Sequence, residues 1–325
     1  MQNFLKSFVR SILCAAATAG FTAAAAADNY PSKPVRMIVG FAPGGGTDTT
    51  ARPIAQKLGE LLGQQVIVDN RPGAGGNIAT DIVSKSNPDG YTILMGTIAA
   101  LAINPGLYSQ LPFDPEKDLA PVTQAVDSTN VLSLHPSVAA GSVKELIALA
   151  KTKSLSFGSS GVGGTGHLAG ELFNVMAGTK LVHIPYKGGG PAMIDLVGGQ
   201  VQLVFATGAS AVPQIKNGKI KGIAVTTLKR SALMPELPTI AESGLPGFDA
   251  NNWYGVMVPA KTPRAIINRL NAETIKVLSM PDVKTFLFNQ GLDAAPTTPE
   301  AFGAYIKSER SKWAKVIKTA GVKAE

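Results

Sequence analysis

Residues 35–48 constrain the fold of this chain more than any other stretch, because an apolar run there ends in three consecutive glycines. Residues 35–41 are short, apolar and rich in β-branched side chains, which is typical of a strand buried on both faces. Pro43 and the glycines at 44–46 require a turn after the strand, because glycine adopts positive φ angles and lets another group approach the backbone closely. We therefore predict a buried strand that ends at an open, glycine-lined turn.

A helix is predicted to follow this turn. Thr47 can accept a hydrogen bond from the free amides of a first helical turn, and Asp48 complements the positive end of the helix dipole. Uncommitted N–H donors at such a place suit an anion. The sequence lacks the Lys-Ser/Thr ending of a phosphate-binding loop here, so a small carboxylate fits better than a nucleoside triphosphate. A tight turn without a ligand is the alternative interpretation.

Residues 1–27 have the parts of a secretory signal peptide. Lys6 and Arg10 form a basic start, an alanine-rich apolar stretch follows, and three small residues precede a cleavage site predicted after Ala27. A membrane anchor is the weaker alternative. The only cysteine, Cys14, lies in this segment after a leucine, which disfavours lipidation. We therefore expect a secreted protein whose mature chain has no disulfide, thiol nucleophile or thiolate metal ligand.

The charge pattern narrows the class of partner. The formal net charge is +8, and the basic residues are dispersed rather than gathered in a run that would follow nucleic acid. A positive field of this kind attracts small anions. No later stretch of the sequence is long and apolar enough to cross a bilayer. A chain of 325 residues favours two domains.

The order of predicted elements indicates an α/β fold built twice. Strands at residues 35–41, 65–69 and 91–95 alternate with amphipathic helices, which predicts a parallel sheet whose ligand lies beyond the carboxyl ends of the strands, near Thr97. After a loop-rich connector the alternation restarts. The later predictions are a connector at 105–115, strands at 131–134, 155–158, 181–184, 201–205, 220–225 and 253–258, a helix at 143–150, and helices through the remainder.

A second glycine-rich turn, at residues 159–167, follows a strand and leads into a helix. Its Gly161-x-Gly163-x-x-Gly166 pattern matches a dinucleotide fingerprint, but the next strand carries no carboxylate to hold a ribose. Another anion-receiving helix start is therefore the better interpretation. The serines of this turn precede the glycines, so the Gly-x-Ser-x-Gly arrangement of a serine hydrolase is missing from the sequence.

Isolated polar residues leave alternatives open. The histidines His135, His167 and His183 are predicted to lie far apart on different elements, which argues against a metal site. His167 can donate to a ligand or complete a helix cap. Asp48 can bind a substrate ammonium group or serve the helix start. Trp253 and Tyr254 can face a cleft or fill the core.

Short motifs along the whole predicted mature chain resemble the Bug family, the extracytoplasmic solute receptors of tripartite tricarboxylate transporters. The matching stretches are residues 30–35, 41–48, 70–76, 88–91, 183–190, 198–200, 238–244, 253–255 and 259–263. The resemblance implies a type II periplasmic-binding-protein fold, in which two α/β lobes are joined by two crossover strands and enclose a ligand cleft. It also implies a small carboxylate ligand, such as a dicarboxylate, a tricarboxylate, an acidic amino acid or an aromatic acid.

The resemblance and the two turns together define the candidate ligand-binding residues. In the first lobe they are Phe41, Gly44, Gly45, Gly46, Thr47, Asp48 and Thr97. In the second lobe they are Ser159, Ser160, Gly161, Thr165, His167 and Thr207. The chain departs from the family in one respect, because members often carry an acidic residue where Ala206-Thr207-Gly208 follows a strand. This departure disfavours recognition of a ligand ammonium group by a carboxylate at this place.

The resulting prediction is a periplasmic receptor that closes by a hinge on a carboxylate and presents it to membrane permease subunits. We expect a monomer without cofactor, metal, nucleic acid or catalytic activity. The predicted domains are the signal peptide at 1–27, the first lobe at 28–128, the second lobe at 129–252, and a return to the first lobe with C-terminal helices at 253–325. A secreted α/β enzyme acting on carboxylated molecules and a ligand sensor with a membrane signalling partner are the alternatives.

Overall fold

The computed structural model describes residues 30–186 and 188–323. The predicted signal peptide and its cleavage site lie outside the described residues. Within them, no helix is long and apolar enough to cross a membrane.

The first lobe is built on a six-stranded mixed sheet. Strands β1 (Val35–Val39), β2 (Val66–Asn70) and β3 (Thr92–Thr97) are parallel to one another, as the sequence predicted. Three antiparallel strands extend the sheet: β4 (Leu119–Ser128), β10 (Asn252–Pro259) and β11 (Leu292–Ala294). The strand order is β11-β4-β10-β3-β1-β2.

Helices cover both faces of this sheet. They are α1 (Gly46–Leu62), α2 (Asn77–Ser84), the short α3 (Asn104–Leu107), α8 (Arg264–Ser279), α9 (Pro281–Asn289) and α10 (Pro299–Ala320). One apolar cluster packs α1 and α8 against one face, and another packs α2 and α10 against the other. Parallel strands require this two-sided cover, because they are buried on both faces.

The second lobe has a five-stranded sheet in the order β7-β6-β8-β5-β9. Its strands are β5 (Asn130–Leu134), β6 (Ser156–Ser159), β7 (Val182–Pro185), β8 (Leu203–Thr207) and β9 (Lys221–Val225). The helices are α4 (Val143–Ala150), α5 (Thr165–Ala177), α6 (Gly189–Val197) and α7 (Gly208–Lys216). The glycine-rich turn at 159–167 joins β6 to α5.

The chain passes between the two sheets twice. A single residue, Thr129, separates β4 of the first sheet from β5 of the second, and residues 226–251 lead from β9 back to β10. The two passages meet, because Asn252 pairs with Ser128 at the ends of β10 and β4. The C-terminal helix α10 also contacts α5, so one apolar cluster runs through both lobes and includes Phe157, Trp253 and Trp313.

The structure corrects some local predictions. The predicted loop-rich connector at 105–115 is irregular over most of its length, but α3 covers its start and a π-helical turn (Ala99–Ile103) precedes it. The C-terminal part is not helical throughout, because β11 pairs with β4 there.

Candidate functional site

The first glycine turn leaves the start of α1 without a side-chain cap. Gly44 has φ +83°, and Gly45 is the N-cap residue, with no side chain to accept the first-turn amides. The prediction that Thr47 caps this helix was therefore wrong, because Thr47 lies inside the helix and is buried. An uncapped helix of this length presents N–H donors and a positive dipole end, which suit an anion.

Asp48 stabilises the turn through the hydrogen bonds that its carboxylate accepts. Its carboxylate accepts hydrogen bonds from the Gly44 amide at 2.9 Å, from Arg52 at 2.8 Å and from Asn70 at 2.9 Å. Burial alone would raise the pKa of Asp48, but hydrogen bonds from Arg52, Gly44 and Asn70 outweigh it and hold the pKa below its usual value. With its oxygens engaged in this way, Asp48 supports the helix start rather than an ammonium group.

The neighbouring strand ends line the same place. The Asn70 amide donates to the Phe41 carbonyl at 2.9 Å, and the Phe41 ring packs against Gly76, in the glycine-rich turn at residues 71–76 that follows β2. A Cβ at Gly76 would lie 3.8 Å from the Thr97 hydroxyl, at the end of β3. Phe41, Thr97 and the first-lobe turns at residues 43–46 and 71–76 therefore meet beyond the carboxyl ends of β1 and β3, as the parallel order predicts.

The second-lobe turn uses some of its own amides internally. The Gly161 amide donates to Ser159 Oγ at 3.1 Å, and the Gly163 amide donates to His167 Nδ1 at 3.1 Å. The start of α5 has Gly164 as its N-cap and no side-chain cap. The amides of the first turn, from Thr165 onward, are consequently the donors that this lobe offers to an anion.

His167 and His183 are stacked, which contradicts the prediction that they lie far apart. Their ring centroids are 3.8 Å apart, and His183 Nε2 lies 2.7 Å from Ser159 Oγ. The parallel pairing of β6 with β7 places His183 beside Phe157. His167, on α5, stacks on both of these rings. His167 Nδ1 accepts the Gly163 amide, so this ring is neutral and carries its proton on Nε2.

This neutral stack should make stability depend on pH. Burial, with a further contribution from His183, lowers the pKa of His167 to about 3, and burial lowers the pKa of His183 to about 4. The unfolded chain takes up these protons near pH 6.5 and the folded chain does not, so stability falls as pH drops from about 6.5 to about 4. The slope for each ring is at most about 1.4 kcal/mol per pH unit.

Melting temperatures between pH 7 and pH 4 test this expectation. His167→Asn keeps an acceptor for the Gly163 amide but does not titrate, so its melting temperature should fall less steeply with acid than that of the wild type. His135→Asn, which lies outside the stack, is the matched control and should follow the wild-type curve. Parallel curves for the wild type and His167→Asn would contradict the assignment.

The remaining predicted residues of the second lobe lie at the ends of β6 and β8. Ser160 is exposed, and its Oγ would lie 2.7 Å from a Cβ at Gly164. Thr207 is the N-cap residue of α7, and its hydroxyl lies 3.1 Å from Ser210 Oγ. Asn130, on the first passage between the lobes, donates from Nδ2 to Thr165 Oγ1 at 3.5 Å.

The two lobes touch beside these turns. Asn104, at the start of α3, donates to Asn77 Oδ1 at 2.7 Å and lies 3.1 Å from the position of a Cβ at Gly75. On its other side, a Cβ at Gly163 would lie 3.4 Å from Asn104 Oδ1 and 2.7 Å from Leu107 Cδ2. The glycine-rich turns of both lobes therefore approach one another around Asn104.

Sequence reasoning missed the supporting asparagines and the histidine contact. Asn104, Asn130 and Asn252 sit at the starts of elements, where no local pattern distinguishes them from ordinary polar residues. Asn70 alone carried a signal, because it stands beside a glycine-rich turn. The described residues contain no group of three or more His, Cys, Asp or Glu side chains placed to hold a metal ion.

Comparison with protein-family models matches residues 50–322 to the model described as tripartite tricarboxylate transporter family receptor. Among curated proteins, the chain is similar to Protein BugT of Bordetella pertussis. The two are 38% identical, and the match covers 94% of this chain and 95% of that protein.

Solved structures share the whole architecture. The structure of R. palustris Rpa4515 with adipate has a TM-score of 0.84 and 37% identity, covering 91% of this chain and 99% of that one. The structure of MatC (Rpa3494) from Rhodopseudomonas palustris with bound malate has a TM-score of 0.80 and 30% identity, covering 89% and 100%. These likenesses confirm the predicted two-lobed α/β fold.

Proposed function

This chain belongs to the tripartite tricarboxylate transporter receptor family. From that premise we propose that its glycine-rich turns at residues 43–46 and 159–167 close on one small carboxylate. Receptors of this family are periplasmic proteins that bind solutes and work with a transporter. The observation that carries the proposal is the pair of uncapped helix starts, Gly46 on one lobe and Thr165 on the other. Each offers backbone N–H donors to an anion, and a ligand between them engages both lobes.

The chemistry of the turns favours a carboxylate held by amides and hydroxyls. Neither the turn at residues 43–46 nor the turn at residues 159–167 contains an arginine, and the guanidinium of Arg52 on α1 is committed to Asp48. The relatives indicate the chemical class, since one related structure holds adipate and another holds malate. Thr47, Ser160 and Thr165 supply hydroxyl groups beside the amides.

We propose that the mature protein forms when the signal peptide is removed after Ala27. It is a monomeric receptor that passes its ligand to membrane permease subunits. We place the lobe boundaries at 128/129 and 252/253, next to Thr129 and residues 226–251, the two stretches of chain that join the sheets. Hinged closure about these two passages brings the ligand into contact with both lobes.

A thermal-shift screen tests the proposed function. Adipate, malate, succinate, citrate and benzoate are each added to the purified protein, with the uncharged methyl ester or amide of each acid as its matched control, and glutamate is tested beside them. A ligand at 100 times its Kd stabilises the folded state by about 2.7 kcal/mol, so at least one acid should raise the melting temperature while its neutral derivative does not. Equal shifts with acid and derivative would contradict a carboxylate site.

The same samples test the enzyme alternative. After incubation, mass spectrometry should recover the stabilising acid unmodified. Turnover that is lost in Ser160→Ala or His167→Asn would favour a secreted enzyme instead.

A further inference from the structure

Asn130 is a fully buried asparagine at the start of the second lobe. It is the first residue of β5 and follows Thr129, the single residue between the two sheets. Its backbone is held from two sides, because it pairs with Thr207 of β8 and its carbonyl accepts from the Thr226 amide at 3.0 Å. Asn130 is therefore fixed at the carboxyl end of β8, the edge of the sheet where the proposed ligand lies.

The side chain of Asn130 lies on the face of the sheet that α5 covers. Residues two apart on a strand share a face, and Leu132 packs in the same apolar cluster as Leu168 of α5. In agreement with this placement, Asn130 Nδ2 donates to Thr165 Oγ1 at 3.5 Å. Thr165 is the first residue of α5, and this helix start has no side-chain cap. The amide group of Asn130 is therefore next to the helix start that we assign to the ligand carboxylate.

The oxygen of this amide group is unpaired. Asn130 Oδ1 is buried, and it accepts no hydrogen bond from any of the described residues. A buried acceptor without a partner destabilises the folded state, and almost all buried polar groups in proteins have one. The oxygen belongs to the same planar group whose nitrogen contacts Thr165, so a molecule bound at the start of α5 can supply the missing donor.

The chemistry of the oxygen defines that donor. An amide oxygen is an uncharged acceptor, and an ionised carboxylate has no proton to donate to it, so the donor must be another group of the ligand. A hydroxyl group meets this need without introducing a second charge. An ammonium group is costly to bury without an anionic partner, and residues 206–208 at the same edge of the sheet contain no acidic side chain.

We propose that Asn130 is a ligand-binding residue that selects hydroxy acids, because its Oδ1 accepts a hydrogen bond from a hydroxyl group beside the ligand carboxylate. This inference rests on the proposed function and names the ligand class of the same site. The oxygen is covered in the described structure, in which the lobes touch around Asn104. It becomes accessible as the lobes separate about Thr129, and the ligand then places its carboxylate at the start of α5 and its hydroxyl group at Asn130.

Calorimetry with matched acids tests the inference on the purified protein. Malate and succinate differ only in the hydroxyl group of malate, and citrate and tricarballylate differ only in the hydroxyl group of citrate. In whichever pair binds, the hydroxy acid should bind about tenfold more tightly, which matches one hydrogen bond to a buried acceptor. Equal affinities within the pair would overturn the proposal, as would binding of adipate or benzoate without binding of either hydroxy acid.

Oxaloacetate tests the orientation of the amide group. It carries a carbonyl where malate carries a hydroxyl group, so it can accept a hydrogen bond at this position but cannot donate one. Where malate binds, oxaloacetate should bind about tenfold more weakly, as succinate does. Oxaloacetate bound as tightly as malate would mean that the amide presents its nitrogen to the ligand, and the proposal would fall.

Asn130→Leu assigns the preference to this residue. Leucine has a similar volume but no acceptor, so the variant should bind the hydroxy acid about tenfold more weakly than the wild type does and the unsubstituted acid equally well. Asn251→Leu is the matched control. Asn251 Oδ1 is also buried without a partner among the described residues, but this residue lies on the second passage and its Nδ2 donates to Asp127 at 2.6 Å.

The ratio of the two affinities separates selection from general support of the fold. Asn251→Leu should keep the wild-type ratio whatever its stability, and melting temperatures establish that each variant is folded. A wild-type ratio in Asn130→Leu would overturn the role of this residue and leave the receptor function intact. If none of the acids binds the wild type, the proposed function and this inference both fall.

Discussion

Replacing Gly46 with alanine is expected to weaken carboxylate binding by at least about tenfold and to leave the protein folded. The new Cβ would lie 2.8 Å from the phenol oxygen of Tyr254, which is closer than unbonded atoms approach. Tyr254 is held in the core on β10, so the start of α1 must move instead. Moving it displaces the amides that bind the anion, and crowding of this kind costs roughly 1–3 kcal/mol of stability.

A second substitution should reverse the effect. In Tyr254→Phe the phenol oxygen is gone, and the nearest remaining atom, Cζ, lies 3.6 Å from the alanine Cβ, which is an ordinary contact. Gly46→Ala combined with Tyr254→Phe should therefore bind about as tightly as Tyr254→Phe alone, as measured by calorimetry.

Gly59→Ala is the control in the same helix. Its Cβ would crowd the Gln64 carbonyl at 3.2 Å, far along α1 from the turn, so this variant should lose stability without losing affinity. A Gly46→Ala protein with wild-type affinity, or one that Tyr254→Phe does not rescue, would show that the helix start is not the anion site.

Local pattern was sufficient for the parallel strands and for the turns. The β-branched runs and their glycine endings predicted β1, β2 and β3 in parallel, and α4 has the predicted bounds Val143–Ala150. In these elements the local preference and the packed environment agree, because a strand buried on both faces is apolar throughout. The candidate site followed from the same rule, since parallel strands bring their carboxyl ends to one edge.

Two elements that contain proline, β4 and α7, were missed. Pro121 argues against a strand, yet β4 contains it, at a register shift where it pairs with Met257 of β10. The helix α7 was not predicted for a similar reason, because it contains Pro213 and its sequence has few large apolar residues. Tertiary pairing stabilises both elements, and a local window of sequence does not contain that information.

The internal bonds of the site were also beyond local reasoning. The stack of His167 on His183 depends on strand pairing between β6 and β7, and the engagement of Asp48 depends on Asn70, which lies 22 residues away. The phenol of Tyr254, on β10, packs against Gly46 at the start of α1. Each contact joins residues that are distant in sequence, so it follows from the fold rather than from a motif.

Replacing Gly291 with alanine is expected to hold the lobes apart. Gly291 precedes β11 in the first lobe, and its Cβ would lie 2.8 Å from the backbone nitrogen of Ala209 and 3.0 Å from the carbonyl carbon of Gly208. Both of these atoms belong to the start of α7 in the second lobe, at the carboxyl end of β8 and thus on the cleft side. Backbone atoms cannot rotate away as a side chain does, so the added methyl group acts as a wedge.

The wedge also lies close to the proposed hinge, since Leu292 pairs with Ser128. A small separation near a hinge produces a larger one across the cleft, where the ligand must touch both turns. A ligand shifts the balance between open and closed states only by its difference in affinity for them. A wedge that destabilises the closed state should therefore weaken binding, and we expect about a tenfold loss from about 1.4 kcal/mol.

Gly63→Ala is the control that distinguishes the steric effect of the added methyl group from the strain of a left-handed backbone. Gly63 has φ +72° and Gly291 has φ +71°, but a Cβ at Gly63 would meet no atom within 4 Å. Both variants should lose similar stability from the left-handed conformation, roughly 1–2 kcal/mol. Small-angle scattering with a saturating acid should give a smaller radius of gyration than without it for the wild type and for Gly63→Ala, but little change for Gly291→Ala. If Gly291→Ala contracts and binds as Gly63→Ala does, closure does not bring Gly291 against α7, and hinged capture about these two passages must be abandoned.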